Sequence, residues 1–530
     1  MGILTKLYQV LNGFWQKLRT LIMGKSTAPQ PTTNSTVITI DYSAASDNIS
    51  SNYELMVVAC DPRNLKSVCN FDNRELNIFS KLQNFTFHTT LMTVNAVKTQ
   101  KHGVVFSPYS LEKLQGSVYG FRNESAKKFG LEAANQMDEN LITVYQLLGP
   151  KEVPYDAAHF AKILAQDLAI LDWWPYSTDY TIKKTVTTPY FDHFSQADLK
   201  EGLPWQFLSI QGSHNTIYVH ASTCFESALD CWAYENILLK AGSKCRQVLP
   251  VNKSASIAII GAGVSGLLFS VKLKRLGYNN ITILESTDRY GGKTHTIKED
   301  APHPLGNNES TYCELGTCYM SPAYAPMITD LSKYLEGNEQ IPFGAKVNRG
   351  IVTQGQLPPS FNAPLVMDND QYILRKAEAE LGLAPGWFDD LEARVTLFEA
   401  LSKYILIHYE IFGGTFPMPT SIPHQFLEEH ASKTFSDFLR YHNLEAIIGI
   451  LQYGYEVQGY GTLDKIPAFY GLIWITPPII EAMLRDSLGG KTPIVTAWSK
   501  GWGDLWTQIV QKENLNIVYN VKINNINRVG

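Results

Sequence analysis

Residues 256–260 read SIAII, a continuous apolar run with the length of a strand buried on both faces, and Leu267, Leu268, Val271 and Leu276 follow at helical spacing. Gly277 is placed to end that helix in a left-handed conformation, and ITIL at 281–284 supplies a second apolar run. The pattern predicts strand, helix and strand in succession. Far from this unit, VITIDY at 37–42 and YELMVVACDP at 53–62 read as strands, separated by the turn-rich SAASDNISSN, and residues 516–530 alternate like another strand. Nearer the start, Leu4, Leu7, Leu11, Phe14, Trp15, Leu18 and Ile22 recur at helical spacing, with Lys6, Gln9 and Lys17 among the polar positions. An amphipathic helix is predicted there, followed by a Pro/Ser/Thr-rich linker at 26–36.

The residues joining the 256–260 strand to its helix are GAGVSG, Gly261 to Gly266. Gly261 permits a tight turn, Gly263 lets a pyrophosphate approach the backbone, and Gly266 lets helix and strand pack closely. The amides of Ala262 to Ser265 then open the helix towards a phosphate. Glu285, about 20 residues further on at the end of the second strand, is placed with Ser286 to accept hydrogen bonds from an adenosine ribose. A second glycine-rich turn follows, in which Gly291 and Gly292 allow close backbone approach while Arg289 and Lys293 face a second phosphate.

Glu285 to Thr294 resembles the second glycine motif of the flavin-containing amine oxidoreductases, and CELGTCYMSPAY from Cys313 to Tyr324 resembles their flavin-side E-x-G segment. QGYGTLDKIPAFY at 458–470 and WSKGWGDLW at 498–506 are similar to landmarks of the branch containing bacterial polyunsaturated fatty acid double-bond isomerases. The resemblance implies FAD as cofactor and an α/β fold, in which a Rossmann-like domain of the glutathione-reductase type is interleaved with a mixed α+β substrate domain. It also implies roles: Gly316 and Thr317 along the flavin, Val521 on the adenine side, and Ser222, Glu226 and Ser227 near the ribityl chain and ring. Where that family has Gly-Asp or Gly-Glu, this chain has His220, Ala221 and Ser222. Arg349 falls near the place where the isomerases keep an arginine for the fatty-acid carboxylate, so it is the candidate substrate anchor. At Gln458 the isomerases carry an aromatic residue.

In such enzymes the dinucleotide motif opens the chain, whereas here Gly261 stands near its midpoint, and residues 210–236, which resemble the family's C-terminal segment, precede it. The segment order implies a circular permutation, with a fragment of a tandem duplication and a mispredicted gene as competing explanations. The expected division is helix and linker at 1–33, the family's second half at 34–250, the dinucleotide unit at 251–330, and substrate lobe with return strands at 331–530.

Composition narrows the function. At 45% hydrophobic and 18% charged residues the chain is expected to fold into sizeable cores, and a net charge of −5 gives no field for a polyanion, so nucleic acid is not an expected partner. Seven cysteines without a C-x-x-C pair indicate neither a disulfide framework nor a metal site. Before Asp41 there is no acidic residue, so the helix at residues 3–23 suits peripheral contact with an anionic membrane, a transit peptide or the protein's own surface. The expected compartment is cytoplasmic or peripherally membrane-associated. Pro467, Pro477 and Pro478 break the apolar stretch at 466–483, which therefore lines a lipid-sized tunnel or forms ordinary core. His193, Trp173, Trp174 and Tyr176 are expected to be structural. The principal expectation is an FAD-dependent oxidoreductase that abstracts hydride from a small hydrophobic or amine substrate. Its alternatives are a redox-neutral fatty acid isomerase and a catalytically silent flavin- or lipid-binding protein. A nicotinamide-only dehydrogenase needs neither the Gly291–Gly292 turn nor the 210–236 segment.

Overall fold

The computed structural model describes residues 37–529, apart from 46, 96, 98, 151–156, 303–307, 344–346, 392, 414–422 and 488–494; the amphipathic segment and linker at 1–33 lie outside the described residues. Strand β1 (Val37–Ala44) is followed by β2 (Asp47–Tyr53) and β3 (Leu55–Val58). The turn-rich segment after Tyr42 is thus largely a strand rather than a turn. Its side chains alternate between exposed and half-buried positions, because it pairs only with β1 and leaves its other edge to solvent.

A larger sheet begins with β4 (Gln83–Asn95), β5 (Val104–Phe106), β6 (Gln115–Asn123), β7 (Glu139–Leu148) and β8 (Tyr180–His193). The chain then returns through β9 (Thr216–Tyr218) and helix α1 (Ala228–Leu238) to β10 (Ile257–Ile260), helix α2 (Val264–Arg275) and β11 (Ile281–Leu284). Strands β12 (Arg349–Val352) and β13 (Val366–Asp368) come next, and the chain finishes on helix α3 (Gly501–Lys512), β14 (Ile517–Val518) and β15 (Val521–Val529).

Five strands make a parallel sheet in the order β14-β11-β10-β3-β9. Its central strands read IAII and LMVV and are wholly buried, as a parallel sheet covered on both faces demands. Seven strands form the second sheet, in the order β13-β12-β5-β6-β7-β4-β8. Segments from before and after the glycine motif contribute to both sheets. In a third, three-stranded sheet, β15 pairs antiparallel with β1 from Val37↔Val529 to Ala44↔Val521, with a bulge at Asp41/Tyr42. The 466–483 stretch is two helices, Ala468–Trp474 and Pro477–Ser487, and the proline at the start of the second supplies a fixed φ where no amide hydrogen is needed. Among the described residues no helix is long and apolar enough to cross a membrane.

Candidate functional site

The two glycine turns meet at the C-terminal ends of β10 and β11. Gly261 has φ +105°, and a Cβ there would stand 3.2 Å from the Ala59 backbone. Gly263 caps α2 without a side-chain hydrogen bond, so the first amides of the helix carry no protein side chain. Gly291 donates its N–H to the Ala262 carbonyl at 2.8 Å, and a Cβ on Gly292 would come within 2.9 Å of the Gly263 Cα. Glu285 turns back to the first loop: one carboxylate oxygen accepts from Ala262 N–H at 2.7 Å, the other from Thr287 N–H at 2.9 Å. Val521 donates to the Glu285 carbonyl at 2.9 Å. Arg289 donates to the carbonyls of Tyr290 and Gly292, Ser265 is buried in the first turn of α2, and Ser286 is exposed beside the acid. Uncapped helix amides, open space at Gly263 and an acid at the end of the second strand together fit the adenosine diphosphate end of a dinucleotide.

The segment at 210–236 reaches this place from the other side of the parallel sheet. Lys293 of the second glycine turn donates to both Glu226 oxygens, at 2.7 and 2.8 Å, and Glu226 also accepts from Phe191 N–H at 3.0 Å. Burial disfavours the Lys293 ammonium, but Glu226 outweighs it and holds the amine above its ordinary value. Ser227 caps α1, and burial pushes its partner Asp230 up to about 7. The His220–Ser222 turn, where the resemblance leads one to expect an acid, is occupied by imidazole: His220 Nδ1 accepts from Ser222 N–H at 3.3 Å and lies 3.8 Å from Asp192. Burial lowers the His220 value and favours its neutral form.

Glu226, Ser227, Lys293, Gly316 and Thr317 open onto a cleft of about 70 Å³ between the parallel sheet and the large sheet. Gly316 is needed for packing as well, since a Cβ there would stand 1.8 Å from the Lys293 carbonyl oxygen. Aromatic side chains dominate the far wall. Tyr190 and Tyr460 stack with centroids 5.6 Å apart, and Tyr190, Tyr460, Phe87 and Trp474 all line the space.

The candidate anchor Arg349 is not among the lining residues. It pairs with exposed Asp370 at 3.4 Å and covers the Tyr453 ring, so it is engaged elsewhere. The arginine that does line the cleft is Arg122 on β6, which is 1% exposed. Its signal in the sequence is a lone cation inside the apolar run VYGFRN. Of the stretch at 466–483, only Trp474 lines the cleft. Gln458, Ser227 and Tyr324 line it too, whereas His193 stacks on Phe191, and Trp173, Trp174 and Tyr176 pack in a core cluster, the last two edge-on to Phe121.

Residues 259–335 match the family described as an NAD(P)-binding Rossmann-like domain. Over 232 residues the chain is 26% identical to a polyenoic fatty acid isomerase of Ptilota filicina, covering 43% of this chain and 42% of that one. It is 33% identical over 226 residues to a tryptophan 2-monooxygenase of Agrobacterium vitis, covering 41% and 27% respectively. The matches therefore span less than half the length of these relatives. Among solved structures, a CLA-producing fatty acid isomerase from P. acnes superposes with a TM-score of 0.34 at 19% identity, over 51% of this chain and 52% of that one. By its sequence matches the chain is similar, over part of its length, to a polyenoic fatty acid isomerase and to tryptophan 2-monooxygenases, and its residues 259–335 match an NAD(P)-binding Rossmann-like domain.

Proposed function

We propose that the protein is an FAD-dependent oxidoreductase that abstracts hydride from a small hydrophobic substrate bound in the aromatic cleft. The observation that carries this is the meeting of the two glycine turns with the 222–227 segment, through Lys293 and Glu226, at the mouth of that cleft. When bound, the flavin supplies the hydride acceptor. The chain's own part is positional: α2 and the glycine turns hold the diphosphate, with Arg289 beside them; Glu285 holds the ribose; Lys293, Gly316, Thr317, Ser222, Glu226 and Ser227 fix the ring end; and Val521 backs the adenine side. Phe87, Tyr190, Tyr460 and Trp474 exclude water and press an apolar carbon against the reacting face. A redox-neutral isomerisation of a polyunsaturated fatty acid uses the same arrangement, and kinship to a polyenoic fatty acid isomerase favours it as the second reading.

The chain order also supports a circular permutation. β15 and β1 form one antiparallel pair although they come from opposite ends of the described chain, and β3 and then β9 extend the parallel sheet on one side of β10 although both precede it. The basic, apolar-striped segment at 3–23 supports peripheral contact with an anionic surface, which cosedimentation of the full chain with phosphatidylserine vesicles tests.

An absorption spectrum of the purified protein, with mass spectrometry of the molecule released on denaturation, tests the function. Flavin bands with FAD released, followed by turnover with peroxide formed, support the oxidase; double-bond migration without peroxide supports the isomerase. A folded, colourless protein that cannot be reconstituted with FAD refutes both and leaves a silent binding protein.

A further inference from the structure

We propose that the cleft selects an uncharged substrate whose polar group both donates and accepts a hydrogen bond, a hydroxyl or a carboxamide, and that Gln458 and Thr188 recognise that group. This deepens the oxidoreductase assignment and rests on it for the identity of the reacting site.

Two observations carry it. The first is that the charges of the wall are already paired with one another. Among the described residues the charged side chains in the lining are Arg122, Glu226 and Lys293. Arg122 lies 2.6 Å from one Glu124 oxygen, and Lys127 lies 2.7 Å from the other. Lys293 lies 2.7 Å from Glu226, and behind that pair Arg63 bonds both Asp61 and Asp192. Four cations thus stand against four carboxylates, and their charges cancel. Two further carboxyls back the wall: Asp230 accepts from the Ser227 hydroxyl, and Glu314 accepts from Trp502 N–H and the Thr296 hydroxyl. Burial pushes both up to about 7, towards the uncharged form. A carboxylate or an ammonium ion entering this space gives up its hydration and meets only partners that are already paired, so its desolvation is not repaid.

The second is the neutral hydrogen-bonding capacity that the wall leaves unspent. Gln458 and Thr188 line the cleft and are half-buried, and among the described residues the Gln458 side-chain amide and the Thr188 hydroxyl bond to no other group. Their places are fixed by the backbone. Gln458 N–H donates to the Tyr455 carbonyl at 3.3 Å, the Gln458 carbonyl accepts from the Tyr190 hydroxyl at 2.9 Å, and Gly459 turns the chain away with φ +83°. Thr188 stands two residues before Tyr190 on β8, hence on the same face, and opposite Phe87 of β4. The Phe87 ring in turn would lie 3.0 Å from a Cβ on Gly459, so Thr188 and Gln458 share one side of the cleft. At that side the hydroxyl of Tyr119, a fully buried lining residue, has no partner and would lie 3.1 Å from the same Cβ. An amide and a hydroxyl each donate and accept, so a ligand group that does both satisfies them, whereas a bare hydrocarbon leaves them unpaired.

The test is titration calorimetry on the cofactor-loaded protein with two matched series: cinnamyl alcohol and cinnamamide against cinnamate and cinnamylamine, and the same four end groups on an octyl chain. On at least one skeleton the alcohol and the amide are expected to bind at least tenfold more tightly than the carboxylate and the amine. Gln458→Leu and Thr188→Val disturb no ion pair, and each is expected to lower alcohol and amide affinity about tenfold while the hydrocarbon β-methylstyrene binds as before, a split that loss of packing alone would not produce. Gln458→Glu is expected to admit cinnamylamine at least tenfold more tightly than the parent does. The proposal is overturned if the carboxylate or the amine binds the parent as tightly as the alcohol and the amide, if neither alcohol nor amide binds on either skeleton, or if Gln458→Leu and Thr188→Val, shown folded by circular dichroism, keep the parent's affinities. Binding does not require turnover. Tight binding of the alcohol without reduction of the flavin therefore refutes the catalytic assignment alone, whereas reduction of the flavin by charged and uncharged ligands bound equally well refutes this inference alone.

Discussion

Two glycines of one motif, three residues apart, are expected to fail in different ways when replaced by alanine. At Gly266 the new Cβ would stand 2.0 Å from the Gly261 carbonyl oxygen and 3.1 Å from its carbon. About 1 Å of movement is needed merely to reach the 3.0 Å below which real Cβ atoms essentially never occur. Neither side can yield. Gly261 has the Ala59 backbone close on its other flank, where a Cβ on Gly261 would meet it at 3.2 Å, and stands at the end of a fully buried strand, and α2 is buried from Ser265 to Leu273. Forcing a methyl into a packed core costs about 1–3 kcal/mol, and collision with backbone on both sides puts Gly266→Ala at about 3 kcal/mol or above. At Gly263 the only atom within 4 Å of a Cβ is the Gly292 Cα at 3.8 Å, and φ is −71°. The lost N-cap preference, about 1 kcal/mol, is offset by a similar entropic gain in the unfolded chain, so Gly263→Ala is expected to leave stability within about 0.5 kcal/mol. Its methyl instead occupies the space through which a pyrophosphate approaches the helix amides. Guanidinium midpoints at constant m, with the amount of bound dinucleotide determined by mass spectrometry, separate the two. Gly266→Ala should shift the midpoint, and Gly263→Ala should empty the site with its midpoint unmoved. An unshifted midpoint for Gly266→Ala, or equal destabilisation by both, would refute the packing argument.

Burial pushes Glu314 up to about 7 from 4.5, so between those values the folded protein binds the extra proton; its contribution to stability is fully present below about 4.5 and is lost as pH rises through about 7. Glu314→Gln is therefore expected to gain up to about 3 kcal/mol over the wild type at pH 8 and almost nothing at pH 4.5, measured by chemical denaturation at both. A gain independent of pH would contradict this. Lys293→Met leaves the buried Glu226 carboxylate with only Phe191 N–H and should cost about 3 kcal/mol, with part restored by adding Glu226→Gln; a double variant no more stable than the single would show that the pair contributes nothing. A relinked chain, with Asn-Gly joining Val529 to Val37 and new ends opened within 240–255, should keep its cofactor content and a midpoint within about 1 kcal/mol of the parent. Loss of the cofactor from a folded relinked chain would count against the permuted order.

What was legible from the sequence was local. The strand, turn and helix at 256–277 follow from apolar runs and glycines within a few residues of one another, and Gly277 has the left-handed φ of +93° that its place after the helix requires. The strands at 516–530 and 37–42 were legible too, because both alternate, and the structure pairs them. The strand at 47–53 was missed because an exposed edge selects polar side chains, and Ser, Asn and Asp there carry the composition of a turn. Which arginine lines the cleft was not legible, for another reason. Which arginine faces the cleft depends on the order β13-β12-β5-β6-β7-β4-β8, in which neighbouring strands are up to some 240 residues apart, and no periodicity carries that order. Arg349 and Arg122 lie on strands of this one sheet, yet only Arg122 lines the cleft.

The parallel sheet also sets a timetable for synthesis. β3 leaves the ribosome about 200 residues before β10, the strand it must pair with, and at roughly 5–20 residues per second that is an interval of about 10–40 s. Through that interval LMVV, a run with no charge and no glycine, has its β10-facing edge open and only β9, also made early, to cover the other side. The early half of the chain thus keeps an open strand edge until the later half is made, and the order of its segments governs how it is made as much as what it becomes.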